Sequence, residues 1–257
     1  MIFERDDLVS SLFEDLSDYR DYVINFKIDE VLKINLGQYG DVNKKKNNKP
    51  YYAVDPNLME AYSVELDDLI RLHYLVRNRK VTTILELGVG KSTVIFNDAL
   101  KTNKINFEVY VKENLRRTDA FECYSVDNYT KWINEVKEKY STEFIKYCYS
   151  TVSMSMFNNR ICTFYDDLPN ICPDFIYIDG PFTYEVKGNI RGITTGHADR
   201  MPMSADVLSI EHFLTPGTLI VVDGRTANAR FIKANLQRNW IYQFDEENDQ
   251  HFFELCE

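Results

Sequence analysis

The chain has no apolar run of the roughly 20 residues needed to cross a bilayer. Its start, Met1-Ile2-Phe3-Glu4-Arg5-Asp6-Asp7, lacks a signal-peptide pattern. A cytoplasmic location with no membrane partner is expected. The five cysteines, Cys123, Cys148, Cys162, Cys172 and Cys256, are odd in number and contain no Cys-x-x-Cys pair. That argues against a zinc site or a disulfide framework and for free thiols. Basic charge is scarce too: 30 Lys and Arg against 40 Asp and Glu leave a net charge of −10. Nucleic-acid binding needs Lys and Arg clustered at phosphates. The only dense basic run, Lys44-Lys45-Lys46 with Lys49, sits among asparagines and ends at Pro50, as a solvated loop does. No nucleic-acid partner is expected, and no internal repeat is visible.

The 257 residues suffice for one large α/β domain with an appendage or for two small domains, and 44% hydrophobic content supplies a substantial core. Residues 5–36 read as helical, with Leu12, Leu16, Tyr19, Val23 and Phe26 spaced by three and four. Residues 37–50 read as a connection. A second helix is expected from about Ser63 to Arg79, leading into a strand over Val81–Leu87. A helix follows from about Ser92 to Lys101, with Ser92 as its N-cap, and then a polar insertion over 102–119. Next come a strand over Phe121–Val126 ending at Asp127 and a helix over Thr130–Tyr140. One or both of Phe144–Tyr149 and Arg160–Tyr165 supply a third strand. Phe175–Ile178 reads as a short buried strand. A helix around Ala205–Leu214, a strand Thr218–Val222, a helix Ala227–Gln237 and a closing hairpin of Trp240–Asp245 with His251–Leu255 complete the chain. Such alternation implies a doubly wound, mostly parallel α/β sheet.

The most informative stretch is Ile84-Leu85-Glu86-Leu87-Gly88-Val89-Gly90-Lys91-Ser92-Thr93: an apolar strand, an acid, two glycines one residue apart and a helix start. Such a turn cradles a nucleotide-like ligand. A P-loop would need glycine five positions before Gly90, where Leu85 stands, and Glu86 would set a carboxylate near a triphosphate. The dinucleotide fingerprint needs a small third residue, where Thr93 stands. A Gly-rich turn that holds no ligand is the bland alternative.

Acidic-x-Gly-x-Gly-x-Ser after a strand resembles the first motif of class I S-adenosylmethionine-dependent methyltransferases, and the resemblance covers residues 81–257. It implies a seven-stranded Rossmann-like methyltransferase sheet over 81–257. Residues 1–80 become an N-terminal helical appendage, either a cap over the acceptor pocket or a homodimer contact. It also implies S-adenosylmethionine as cofactor. Glu86, Gly88, Gly90 and Ser92 then form the methionine-side turn, with Glu86 attracting the ammonium directly or through water. Asp127, with Asn128 beside it, takes the ribose hydroxyls, Tyr165 lies by the adenine, and Asp179 lies near the transferred methyl group. In magnesium-using members, carboxylates at these strand ends bind the metal, which nominates Asp179, Asp206 and Asp223 for Mg2+. The Asp223-Gly224 pair departs from the usual second ligand.

Beyond the resemblance, four strands end in or beside a carboxylate: Glu86, Asp127, Asp179 and Asp223. Ligands of open parallel sheets bind beyond such ends. Residues 187–203 read as an active-site loop in which His197 is a candidate base alongside Asp179. Arg200 and Arg225 are candidate substrate residues, from a set with Arg191 and Arg230 that suits an anionic acceptor. The expected activity is methyl transfer to an oxygen of a small molecule, such as a sugar- or phosphate-containing glycan precursor or a secondary metabolite. The alternatives are N-methylation of a macromolecule and a non-catalytic binding or scaffold protein that keeps the sheet.

Overall fold

The computed structural model describes residues 2–39, 65–197 and 199–257. The Lys44–Lys46 run, Lys49, Pro50, most of the 37–50 connection and Ser63 lie outside them. The first helical stretch is three short helices, α1 (Leu8–Leu12), α2 (Tyr19–Phe26) and α3 (Ile28–Leu32), preceded by a strand, β1 (Ile2–Glu4). The breaks have local causes. The Asp18 carboxylate caps α2 by accepting from Asp21 N–H, and Lys27 and Lys33 take left-handed backbone that ends α2 and α3.

Helix α4 (Leu66–Asn78) enters the first core strand, β2 (Thr83–Leu87). The following helix, α5 (Lys91–Asn114), has Gly90 and not Ser92 at its N-cap, and it absorbs most of the expected polar insertion. Its outer half is helical although Ile105 and Val109 are exposed there, so apolar periodicity on the core side stops before the helix does. Then come β3 (Glu122–Asp127), α6 (Thr130–Lys139), β4 (Ile145–Tyr149), β5 (Val152–Phe157), β6 (Arg160–Tyr165), β7 (Phe175–Ile178), β8 (Val186–Lys187), α7 (Asp206–Ile210), β9 (Leu219–Asp223), α8 (Thr226–Lys233), β10 (Trp240–Asp245) and β11 (Gln250–Leu255).

The main sheet runs β1-β10-β11-β9-β7-β2-β3-β4. All neighbours are parallel except β11, which is antiparallel to β10 and β9. The closing hairpin thus adds the expected antiparallel strand to the sheet. The sheet has eight strands where seven were expected, because β1 extends its edge beside β10. Of the two candidates for the third strand, only β4 joins the sheet. The other, β6, pairs with β5 and, across β5, with β8 in a separate three-stranded sheet. From β2 the chain winds outward through β3 and β4, then returns to the other side of β2 as β7. That reversal opens a crevice at the carboxyl ends of β2 and β7. No helix among the described residues is long and apolar enough to cross a membrane.

The N-terminal helices pack into the same apolar cluster as one face of the sheet: Leu8, Leu12, Val23, Ile28 and Leu32 join Ile70, Ile84, Phe96 and Phe252. A buried cation ties this corner together. The Arg71 guanidinium donates to Asp245 at 2.6 Å and to Gln250 at 3.0 Å, and it lies 3.8 Å from the centre of the Phe13 ring. Arg71 and Asp245 are nearly closed to water, so truncating one strands the other as an unpaired buried charge. Arg71→Ala is expected to lower stability by about 3–5 kcal/mol in urea unfolding. A loss under about 1 kcal/mol, the range of surface pairs, contradicts this account.

Candidate active site

The crevice is built on glycine. Gly88 follows β2 with a φ of +113°. A Cβ at that position would lie 2.7 Å from Gly180 N and 2.8 Å from the Asp179 carbonyl carbon. One on Gly180 would lie 2.6 Å from the Tyr165 hydroxyl and 2.8 Å from Gly88 N. The turns after β2 and β7 therefore touch backbone to backbone, which only glycine allows. Gly90 is a different case. Its φ of −166° suits any residue, and a Cβ there would meet nothing within 4 Å. The fold does not need glycine at 90, and the missing side chain leaves free space in front of the turn.

Glu86 is fully buried and accepts from three hydroxyls: Ser92 at 2.5 Å, Thr93 at 2.7 Å and Ser125 at 2.5 Å. It fastens the start of α5 and the side of β3 to the end of β2, and it is closed off from direct contact with a ligand. Burial raises its pKa to about 7, against the lowering effect of the hydroxyls. Ser92 is likewise turned inward, towards Glu86, and does not cap the helix.

Asp127 reaches back to the glycine turn. One carboxylate oxygen accepts from Val89 N–H and the other from Tyr129 N–H, both at 2.7 Å. Burial raises its pKa to about 6, and these amides and Arg225 pull it down. Asn128 points elsewhere. It accepts from Phe182 N–H at 2.8 Å and donates to the Phe182 and Glu185 carbonyls at 3.1 and 2.9 Å.

Asp179 is the open member of the set, with 57% of its side-chain surface accessible. Desolvation raises its pKa, while Arg225 lowers it. Arg225 follows β9 and spans the gap to β7. Its guanidinium contacts the Asp179 carboxylate at 3.4 Å, the Asp179 carbonyl at 2.5 Å and the Pro181 carbonyl at 3.4 Å. Asp223 accepts from the Tyr177 hydroxyl at 2.6 Å. Tyr177 precedes Asp179 by two positions on β7, so the period of a strand puts both on one face. Asp223 is raised by burial and then by Asp179, and Asp68 at the start of α4 is raised by burial and then by Asp223.

Other expected residues fall apart from this group. Asp206 is closed, accepting from Tyr165 N–H at 2.9 Å and from the Ser204 hydroxyl at 2.7 Å. Among the described residues no three His, Cys, Asp or Glu side chains are grouped to hold a metal, so the Asp179, Asp206 and Asp223 set expected for Mg2+ is not assembled. His197 is half exposed and accepts from Asp199 N–H at 3.1 Å. Arg200 donates to the Thr194 carbonyl at 3.1 Å, also within the loop. Tyr165 does reach the crevice. Its ring is buried, and its hydroxyl, beside Gly180, has no hydrogen-bond partner.

Two contributions escaped the sequence: Asp68, from a helix outside the motif region, and the aromatic row Trp132, Tyr129, Phe182 and Tyr184, whose adjacent ring centres lie 5.5, 4.9 and 5.8 Å apart. Only the Asp-Gly-Pro-Phe run after β7 hinted at the row.

No protein-family model matches the chain, and no curated protein matches it. Among solved structures it is similar to the O-methyltransferase TomG from Streptomyces achromogenes, involved in tomaymycin synthesis and solved in complex with SAM. The identity is 13% over 76% of this chain and 82% of that one, with a TM-score of 0.38. It is also similar to the SAH-bound methyltransferase PaMTH1 from Podospora anserina, at 12% identity over 98% of this chain and 95% of that one, with a TM-score of 0.39.

The raised pKa of Glu86 has a consequence for stability. An ordinary glutamate titrates near 4.5 and this one at about 7, so between those values the folded state holds the extra proton. The contribution of Glu86 is complete below about pH 4.5 and is lost as pH rises through about 7. Glutamine mimics the protonated form. Glu86→Gln is therefore expected to gain stability relative to the parent chain between pH 5 and 8 in urea unfolding. A difference that is flat with pH refutes the assignment.

Proposed function

We propose that the chain binds S-adenosylmethionine in the crevice beyond β2, β3 and β7 and transfers its methyl group to a hydroxyl of a small molecule. The observation that carries this is the pair of touching turns at the switch point, with free space over Gly90 and carboxylates on each side. The residues suit the cofactor. Each Asp127 oxygen accepts one amide and retains capacity for another donor, which matches two vicinal ribose hydroxyls. The unpaired Tyr165 hydroxyl is a polar group without a partner at the same place. Glu86 supports the turn from behind and leaves contact with the ligand to Asp179.

Bound there, S-adenosylmethionine supplies an electrophilic sulfonium methyl. The chain contributes mainly alignment, which is worth several kcal/mol when reacting atoms are held in line. Arg225 opposes the desolvation that raises the Asp179 pKa, and it fixes the backbone of Asp179 and Pro181. The Asp179 carboxylate takes the proton of the acceptor hydroxyl. His197, half exposed with its Nδ1 accepting from Asp199 N–H, remains the candidate base from the loop. The Arg225 charge is already matched by Asp179, and Asp68, Asp223 and Asp249 stand nearby. An uncharged acceptor such as a sugar hydroxyl fits this field better than an anionic one. A cytoplasmic location and a role in glycan or secondary-metabolite synthesis are parts of the same proposal.

Calorimetric titration with S-adenosylhomocysteine tests the reading. Gly90→Val places a side chain where the fold has room, so stability is expected to change by no more than about 1 kcal/mol. Affinity is expected to fall at least tenfold, and Asp127→Ala is expected to weaken binding to a similar extent. Absence of binding to the folded parent chain, or full affinity in Gly90→Val, overturns the proposal.

A further inference from the structure

Asn128 is 4% exposed, and its amide is spent on one short segment. Its carbonyl accepts from Phe182 N–H, and its two N–H groups donate to the Phe182 and Glu185 carbonyls. The side chain thus pairs with the Phe182 backbone as a neighbouring strand would, across 54 positions of sequence. One acceptor lone pair remains, on a group closed to solvent. The segment it holds follows directly on Asp179-Gly180-Pro181. The Thr195 hydroxyl grips it from the other side by donating to the Thr183 carbonyl at 2.8 Å. The Phe182 ring lies 4.9 Å from that of Tyr129, which neighbours Asn128 in the chain and in turn contacts Trp132.

We propose that Asn128 is a positioning residue that clamps residues 182–185 as an arm beside Asp179, and that it does so without contacting the cofactor. The proposal departs from the cofactor role expected for Asn128 from the sequence. It rests on the methyl-transfer reading only for the word cofactor, since the clamp itself is a property of the fold.

Asn128→Asp removes both donors and sets a carboxylate against two carbonyls, with little change in size. Three readouts follow. In the parent chain, the Phe182 amide is expected to exchange with deuterium at least 100-fold more slowly than an unstructured amide. In Asn128→Asp at neutral pH it is expected to exchange at least tenfold faster than in the parent, with partial return at acid pH, where the introduced carboxyl regains one donor. Trp132 emission is expected to shift, since Phe182 no longer holds Tyr129 against it, while the fully buried Trp240 provides a constant background. S-adenosylhomocysteine affinity is expected to stay within threefold of the parent value. A fast Phe182 amide in the parent chain overturns the clamp, and that arm of the test needs no variant to fold. A tenfold loss of affinity in the variant overturns the separation from the cofactor. If the parent chain binds no S-adenosylhomocysteine, the methyl-transfer reading fails while the exchange result still judges the clamp.

Discussion

The contact on which the site depends is the one between Gly88 and Gly180. Two parallel strands, β2 and β7, lie side by side at the reversal of the winding order, and each ends in a turn. Usually such turns splay apart. Here the Asp179 amide donates to the Leu87 carbonyl and the Gly88 amide donates to the Val126 carbonyl, so three strand ends are joined just where they stop pairing. A Cβ at either glycine would meet backbone at less than 3 Å, and backbone cannot move aside without breaking these bonds. Three carboxylates of the crevice take their position from that junction: Glu86 two residues before it, Asp179 within it, and Asp127 reaching into it through Val89 N–H.

Four acids at strand ends do not do one job. Glu86 is sealed under three hydroxyls and holds the helix start. Asp127 is half used by the turn, and Asp223 is held by Tyr177. Asp179 alone is open, and Arg225 is set against it. Burial disfavours the ionised form of every one of them, and their mutual repulsion adds to the effect between Asp179 and Asp223. The guanidinium offsets this where an ionised carboxylate is useful, beside the opening, and bonds two carbonyls that shape the loop. Of the arginines singled out in the sequence, Arg225 is the one set against Asp179, while Arg200 bonds within its own loop.

Much of the architecture was legible because it follows from period and punctuation. The apolar runs at 84–87, 175–178 and 219–222 end in acid or glycine, and each is a parallel strand with its polar end at the crevice. The features that stayed hidden depend on partners far away in sequence. The strand at 2–4 is too short to alternate visibly and exists because β10 offers it an edge. The helix over 91–114 outlasts its apolar stripe: Ile105 and Val109 are exposed on its outer half, and buried residues there are reduced to Asn103 and Val111. In the site, residue types were readable but orientations were not. Asp206 and Asn128 are the right kinds of side chain at plausible positions, yet each turns to backbone groups that no local pattern reveals.

The same reasoning brings the N-terminal region to the site. Gln250 sits opposite Asp223 in the pairing of β11 with β9. Its amide donates to Asp68 at 3.2 Å and accepts from Arg71, one turn further along α4. Arg71 then bonds Asp245 on β10, so a single chain of polar contacts runs from the closing hairpin to the first turn of α4 and ends beside the acid of β9. Arg71 and Gln250 are buried, Asp68 and Asp245 half-buried, and each is paired, so a broken link leaves an unsatisfied partner in a low-dielectric setting. The start of α4 is thereby tied to β11 at the residue paired with Asp223. A helix that precedes the whole glycine-turn motif thus forms one wall of the crevice that the motif defines.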